Sequence, residues 1–560
     1  MDHAASVSGL VAYPDAVQAR YRQVGLWRSK SLSEELREAC TSHAQHLALI
    51  TSEVRWTYAE LDRRSGQLAA GLLASTSLRP GDAVMFSMGN VAETVVAYYG
   101  ALRAGLVPVC TLPHHREREV GSLAEHVGAR GHIVQADFAT DSLIECAARV
   151  AASSPTLVEL IVARGPTPAG AHSYDDLLAS GAHPDAHAAL ANVHIDPAGI
   201  AVFQLSGGTT GLPKIAPRLH EEYVYNARQW AHALGWGPHT TLLYPLPLMH
   251  NAGIVLALQP AHLSGATVVL TETAATSGIL DAIEAERPTV LPLVPPAVAI
   301  RLLDDPRTCH TDLSSVTDFI VGGQRLPVEV AQRLITELGL RPRQMFGMAE
   351  GMFLLTPTGA PDEACLHTVG APISAEDEVR IYDIGTETEV PDGHEGELCV
   401  RGPYTIRGYY HAAEHNRDTF TADGFYRTGD LARRHHIGGG CYYSIDGRIK
   451  DVINRGVEKI HAEEVEELLL RHPDIHDAAV VAMPDRVLGE RACAYLILEQ
   501  GATAPDVTIL GQYLRAEGLA IHKQPERVEI VERFPLTNVG KISKKALRAD
   551  IAAKLSQTDA

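Results

Sequence analysis

The segment LSGGTTGLPK (205–214) gathers three glycines, three hydroxyl side chains and a lysine into ten residues. Glycines let backbone N–H groups close on phosphate oxygens, Ser206, Thr209 and Thr210 add donors, and Lys214 adds positive charge. The apolar run AGIAVFQ (198–204) just before it reads as a buried strand that delivers this loop. Ser206, Gly207, Gly208, Thr209, Thr210, Gly211 and Lys214 therefore form a candidate polyphosphate cradle. It is not a Walker A loop, because Leu212 and Pro213 separate Gly211 from Lys214 and the GxxxxGK[ST] spacing is absent.

A loop of this kind needs a scaffold. The chain has 560 residues, 46% of them hydrophobic, and a mean hydropathy of -0.03. At roughly 150 residues per domain it holds about three or four domains or subdomains. Helical spacing at 58–76, a short buried strand at 82–87, a second helix at 92–104 and the apolar run LVPVCTL (106–112) alternate as α/β layers with largely parallel sheets do. The stretch 163–187, rich in Ala, Gly, Pro and His, reads as a surface excursion with one short helix near 174–179. The pattern changes near 440. Strands and turns (396–410) lead to DGRIKDVINRGVEKI (446–460), an acidic amphipathic helix (462–472) and a small α+β pattern. A boundary at 448–451 divides a large region, 1–447, from a C-terminal domain, 448–560.

The balance of 48 basic against 68 acidic residues gives a net charge of -20, which disfavours nucleic acid as a partner, since phosphate neutralisation needs a basic face. Eight scattered cysteines form no CxxC pair and read as thiols of a reducing compartment. The N-terminus lacks a secretory pattern, and no apolar run is long enough to span a membrane. A cytoplasmic enzyme with no membrane partner is the expectation.

The phosphate loop resembles that of the adenylate-forming superfamily: acyl-CoA synthetases, adenylation domains and luciferases. Further strings match that family in order. QMFGMAEG (344–351) looks like its aromatic-Gly-x-x-Glu motif, YRTGD (426–430) its ribose motif, GRIKD (447–451) its interdomain hinge, and NVGK (538–541) its catalytic lysine loop. The resemblance implies a large N-terminal α/β/α domain with two related sheet subdomains and a β-rich piece, followed by a mobile α+β domain. It also implies ATP and Mg²⁺. Joining a carboxylate to the α-phosphate builds negative charge on phosphorus and on the leaving pyrophosphate, so positioning, a metal and cations matter more than a general base. Lys541, Glu350 and His250 form the implied catalytic set, with Lys541 steering the carboxylate and α-phosphate together and Glu350 holding Mg²⁺. Phe346, next to Gly347, stacks on adenine opposite Gly322 and Gly323, Asp430 accepts both ribose hydroxyls, and Arg448 bonds ribose or phosphate. Lys450 matches the hinge on which the small domain turns between two half-reactions. The loop NRGVEK (454–459) matches the wall of the thiol tunnel. The family usually has two adjacent glycines there; this chain has Gly456 and Val457, and a β-branched residue narrows or restricts that loop.

FGMAEG, RGPYTIRGYY, AEHN, DGFYRTGDL, HDAAVVAMPD and GKISKKALR together look like stand-alone aryl-acid–AMP ligases. Those load salicylate or 2,3-dihydroxybenzoate onto an aryl carrier protein for siderophore or other nonribosomal natural products. The string PRLHEEYVY (217–225) fits the same branch. The acid pocket departs from the pattern. HNAGIVL (250–256) keeps Asn251, whose amide suits an ortho-hydroxyl or ring nitrogen. It replaces an aromatic by Ala252 and a small hydroxyl or thiol residue by Leu256, while Phe353 replaces a smaller aliphatic. With Met348 and Gly323 these residues line the expected site. The bulkier apolar wall argues against 2,3-dihydroxybenzoate and leaves salicylate, anthranilate-type acids, 3-hydroxypicolinate and bicyclic heteroaryl acids open. The acceptor is a carrier protein in trans, coenzyme A, or an amine or hydroxyl. A degenerate adenylate-binding protein is the non-enzymatic alternative, but Lys541, Asp430 and Glu350 are all present. The H-x-x-E-H string HAAEH (411–415) reads as incidental, the pairs His114–His115 and His435–His436 as solvated loop residues, and Glu463, Glu464, Glu466 and Glu467 as a solvated helix face.

Overall fold

The computed structural model describes residues 8–558 except 139–141, 207–213, 324, 325, 327, 450, 451, 536–541 and 543. Gly207, Gly208, Thr209, Thr210, Gly211, Lys450 and Lys541 lie outside the described residues. So does the side chain of Arg448, whose backbone closes the strand Gly440–Arg448.

Two large sheets form the N-terminal domain. One has nine strands and the other seven. Their central strands are parallel and read as continuous apolar runs, as strands covered on both faces must. Ala83–Ser87 and Val290–Val294 are buried at every position. In the nine-stranded sheet Thr241–Tyr244, Val290–Val294, Asp318–Val321 and Pro342–Gly347 lie side by side in parallel. In the seven-stranded sheet Ile200–Ser206 pairs in parallel with Val107–Val109 and antiparallel with the edge strand Lys214–Leu219. The covering helices start on capping boxes. Thr57 and Glu60 open Tyr58–Ser75, and Ser31 and Glu34 open Leu32–Ser42.

A four-stranded antiparallel sheet, Glu378–Tyr382 to Gly440–Arg448, follows, and then the C-terminal sheet of five strands that starts at Val452–Arg455. The expected layers and the small C-terminal domain are therefore present. Two local readings change. The excursion at 163–187 carries Tyr174–Ser180 as expected, but a second helix, Pro184–Ala191, also packs on Tyr58–Ser75. The run at 106–112 contributes only the three-residue strand Val107–Val109. The eight cysteines are all free thiols. Among the described residues no helix is long and apolar enough to cross a membrane.

Candidate functional site

In open parallel sheets, ligands bind beyond the carboxyl ends of the strands. Three strands of the nine-stranded sheet end together and release the segments that matter. Thr241–Tyr244 leads to His250 and Asn251, Asp318–Val321 to Gly322 and Gly323, and Pro342–Gly347 to Met348 and Glu350. Across from them the strand Ile200–Ser206 runs into residues 207–213, and Lys214 resumes the chain opposite Ser206.

Glu350 is the focus. Its side chain is 3% exposed, and Oε1 accepts hydrogen bonds from the hydroxyls of Ser206 and Tyr409. Tyr409 also meets the Tyr426 hydroxyl at 2.9 Å. Burial, reinforced by the Glu350 charge, pushes the Tyr409 phenol well above its ordinary value, so it stays a donor. The Lys214 ammonium meets His415 Nε2 and lies 5.1 Å from the centre of the Tyr409 ring. An acid, two hydroxyls and a cation thus sit at the two ends of the phosphate-type loop.

The backbone beside Glu350 is held by Arg218, a fully buried guanidinium. It donates to both Glu222 oxygens at 2.9 and 2.8 Å, and to the carbonyls of Ala349 and Tyr404, each at 3.0 Å. Burial alone would favour its neutral form, but the facing Glu222 carboxylate overrides it and keeps Arg218 charged. Nothing in the local pattern at 217–220 marks Arg218 as this organiser, except that it stands four residues before an acid at a helix start.

A second polar chain runs beside the buried apolar residues expected to line the acid site. Gln204 donates to the Tyr223 hydroxyl at 2.9 Å, that hydroxyl donates to Asn251 Oδ1 at 3.2 Å, and Asn251 Nδ2 reaches the Met348 carbonyl at 3.4 Å. The following segment Gly253–Leu258 is a π-helix buried at every position, a distortion often found at functional sites. It presents Leu256, whose carbonyl accepts from Trp230 Nε1 at 3.2 Å. Phe353 is buried edge-on to Trp230, with ring centres 5.5 Å apart. Its strand pairs it with Gly347, where a Cβ would come within 2.3 Å of the Phe353 ring. Gly347 must therefore lack a side chain for Phe353 to occupy this wall. Gly322 is under a similar constraint, 2.5 Å from Met345 Sδ by the same measure.

One wall group titrates unusually. Tyr404 donates to Asp377 Oδ2 at 2.6 Å and its hydroxyl accepts from the Phe353 N–H at 3.2 Å. Burial, only partly offset by hydrogen bonds from the Tyr404 hydroxyl and the Ser374 N–H, raises the Asp377 carboxyl to about 8. Unfolded, it ionises in the ordinary range; folded, it keeps its proton almost to pH 8. Its contribution to stability is therefore full at acid pH and falls as the pH rises toward 8. An Asp377→Asn variant should lose less stability between pH 5 and pH 8 than the parent, measured as melting midpoints at the two values. Equal losses would refute the assignment.

Asp430 is buried on the strand Tyr426–Ile437, directly opposite Arg448. It follows Gly429, whose φ of 71° lies in the left-handed region. Phe346 and Met348 pack against the cluster containing Tyr409 and Tyr426. From the small domain, Val457 faces Gly323, with Cγ1 3.6 Å from where a Cβ would lie. Gly456 takes a φ of 63° while Val457 does not need a positive value, so a single glycine suffices for this turn.

Three readings are corrected. Glu464 is buried on Lys523 Nζ at 3.0 Å, and Lys523 also reaches the buried Glu119 of the large domain at 3.4 Å. Glu464 is a domain-interface residue, not part of a solvated face. His115 is buried and His114 faces Glu458, so this pair is not a solvated loop. His435 bonds Ser444 at 2.9 Å within its sheet, and only His436 keeps the solvated character. In the HAAEH string His415 is engaged by Lys214 and Thr419, and the Glu414 side chain is 95% exposed. Among the described residues these do not converge as metal ligands. Glu458 is held well below the carboxylate range: burial raises it, but His114, His522 and His250 together lower it further. That places His250 within electrostatic reach of the small domain.

The family model for AMP-binding enzymes matches residues 36–410, and that for the AMP-binding enzyme C-terminal domain matches 464–541. Pyochelin synthase PchD of Pseudomonas aeruginosa is 41% identical over 97% of this chain and 96% of its own. The 2,3-dihydroxybenzoate-AMP ligase of Bacillus subtilis is 38% identical over 98% and 99%. Among solved structures, apo MbtA of Mycobacterium smegmatis superposes with a TM-score of 0.73 at 37% identity, covering 97% of this chain and 98% of that one.

Proposed function

The chain belongs to the AMP-binding enzyme family, and from that premise we propose that it is an ATP-dependent aryl-acid–AMP ligase of siderophore or related natural-product assembly. The observation that carries this reading is the adjacency of two sites. Ser206, Tyr409 and Glu350 meet at the phosphate-type loop, and the buried Asn251 amide, among apolar neighbours, meets the carbonyl of Met348, two residues before Glu350.

In this reading ATP lies along the strand ends, with its phosphates on Ser206, the loop 207–211 and Lys214. Adenine lies between Phe346 and the Gly322–Gly323 backbone, and ribose on Asp430 with Arg448 opposite. A buried carboxylate with its hydroxyl partners fits Mg²⁺, which binds through one or two acids plus substrate phosphates. Glu350 would hold it, and the ion would neutralise charge on the phosphates. The acid's carboxylate oxygen attacks the α-phosphorus. An acyl–oxygen–phosphorus bond forms, the bond to the β-phosphate breaks and pyrophosphate leaves. Lys541, on the C-terminal domain that we begin at 448, would bring the two anions together, and Lys450 would be the hinge. His250, between the acid pocket and Glu458, would complete the catalytic set. A thiolate then attacks the acyl carbon and expels AMP. A carrier-protein phosphopantetheine is the acceptor that this reading favours, and a direct competition against coenzyme A tests that choice.

Asn251 Nδ2 has two protons and a single long contact, to the Met348 carbonyl, among the described residues. It is suited to donate to an ortho oxygen or ring nitrogen of the acid. Leu256 and Phe353 offer no partner to a 3-hydroxyl, and burying one unpaired costs about 1–3 kcal/mol. Salicylate-type or larger apolar ortho-substituted acids are favoured. Acid-dependent ATP–pyrophosphate exchange across salicylate, 2,3-dihydroxybenzoate, anthranilate, 3-hydroxypicolinate and quinaldate types, with amino and fatty acids, tests the reading. Exchange confined to aliphatic or amino acids would sink it. A Leu256→Ser variant should raise kcat/KM for 2,3-dihydroxybenzoate relative to salicylate by about 5–100-fold. An unchanged ratio would remove Leu256 from the selectivity wall.

A further inference from the structure

Where the small domain meets the large one, three metal-ligating side chains face each other. His114 lies between the strand Val107–Val109 and the helix Glu117–Val127 of the large domain. Glu458 opens the strand Glu458–His461, and His522 sits in the 3-10 turn Ile521–Lys523 of the small domain. His114 Nε2 is 3.2 Å from one Glu458 oxygen, and His522 Nε2 is 3.4 Å from the other. The ligand atoms all lie within 4.8 Å of one another. The two imidazole rings are near perpendicular, 4.7 Å apart.

Two details separate this from an ordinary ion pair. His114 Nε2 is shielded from solvent, and its contact with Glu458 at 3.2 Å is too poorly aligned to satisfy hydrogen-bond geometry. An imidazole lone pair and a carboxylate oxygen at such separations repel unless a proton or a cation lies between them. A tetrahedral zinc site has bonds of about 2.0–2.2 Å, which puts its ligand atoms about 3.3–3.6 Å apart. Each histidine nitrogen lies close to that spacing from one or the other Glu458 oxygen. Two histidines and one glutamate also form a known three-ligand zinc set, with a fourth position for water. Imidazole nitrogens select zinc-like cations over Mg²⁺. The frame is firm, because Lys523, next to His522, is tied to Glu464 within the small domain and to Glu119 across the same interface.

We propose that His114, Glu458 and His522 bind a divalent cation of the Zn²⁺ class that staples the small domain to the large one in this arrangement. The ligands come from both domains, so the cation binds tightly only where they meet. It therefore shifts the population toward this arrangement. In this arrangement Val457, on the loop likened to the thiol-tunnel wall, faces Gly323, so adenylate formation is the step that needs the small domain elsewhere and is slowed. That last consequence rests on the two-half-reaction reading of the site; the binding itself does not.

The test uses the full, metal-stripped chain in saturating Mg²⁺. Co²⁺ titration without nucleotide should show one equivalent bound, with the intense visible bands of a four-coordinate nitrogen-containing site, displaced by Zn²⁺. His114→Asn and His522→Gln, one on each domain, should each weaken binding by more than the roughly 10–100-fold that outer-shell changes cost. Matching circular dichroism and melting of both variants would confirm that they fold. In the second arm, one equivalent of Zn²⁺ in excess Mg-ATP should slow the parent's pyrophosphate exchange severalfold and leave both variants unaffected. No Co²⁺ binding by the parent, or equal binding by folded variants, overturns the site. Binding without any effect on exchange overturns the staple. If no acid supports exchange, the functional reading fails while the Co²⁺ arm still decides the site.

Discussion

A Glu350→Gln variant is expected to stay folded and to lose acid-dependent pyrophosphate exchange by about 10²–10³-fold, the usual effect of removing one group aimed at transition-state charge. The substitution is nearly isosteric. The amide oxygen can still accept from the Ser206 and Tyr409 hydroxyls that hold the Glu350 carboxylate. What disappears is the negative charge in a buried position, where no solvent replaces it. If Glu350 holds Mg²⁺ on the phosphates, KM for Mg-ATP rises and kcat falls together, because charge neutralisation acts on bound and reacting phosphates alike. Tyr409→Phe separates charge from geometry. It keeps the carboxylate and removes one donor to it, and a hydrogen bond to a charged group is worth about 1.5–3 kcal/mol. A smaller loss, with less effect on the Mg²⁺ dependence of the rate, is expected. Parental exchange by Glu350→Gln would show that the carboxylate serves only to tie Ser206 and Tyr409 together.

These residues differ in how visible they were in the sequence. The layered fold was legible because buried parallel strands and amphipathic helices carry periodic local signals, as Ala83–Ser87 and Tyr58–Ser75 do. Ser206, Glu350 and Asp430 stood out because they lie in short strings whose order resembles a family. Asn251 and Phe353 stood out as points of agreement with and departure from it. Tyr409 did not, although it donates to Glu350 from 59 positions away. Its string RGPYTIRGYY carries a family likeness only, and a tyrosine after a glycine has no intrinsic polar signature. Glu464 illustrates the opposite error. Four glutamates within five positions look solvated, and nothing local says that one turns inward to Lys523, 59 residues on. His114 likewise looked like half of an exposed pair until the small domain brought Glu458 to it. In each case the missing information was long-range pairing of a charge, which neither propensity nor periodicity encodes.

Arg218 shows how far such pairing can reach, and its replacement should have the largest effect on the fold. An Arg218→Met variant leaves Glu222 buried without its partner and strips one bond each from the carbonyls of Ala349 and Tyr404. Breaking a buried pair from one side costs about 3–5 kcal/mol, so a large drop in melting temperature of the N-terminal domain is expected. Arg218→Lys should recover only part of it, because an ammonium cannot span the bidentate Glu222 contact and both carbonyls at once. The double variant Arg218→Met, Glu222→Leu separates stability from positioning. Removing both charges should restore much of the stability, since an apolar pair of similar volume is often as good as a buried ion pair. It should not restore exchange, because the Ala349 carbonyl, one residue before Glu350, stays unanchored. The activity loss should appear mainly in kcat, with ATP binding retained, as displacement of a group by about 1 Å can cost about 10²-fold. If Arg218→Met melts with the parent, the buried pair does not hold this wall. If the double variant recovers both stability and exchange, Arg218 supports the fold without positioning Glu350.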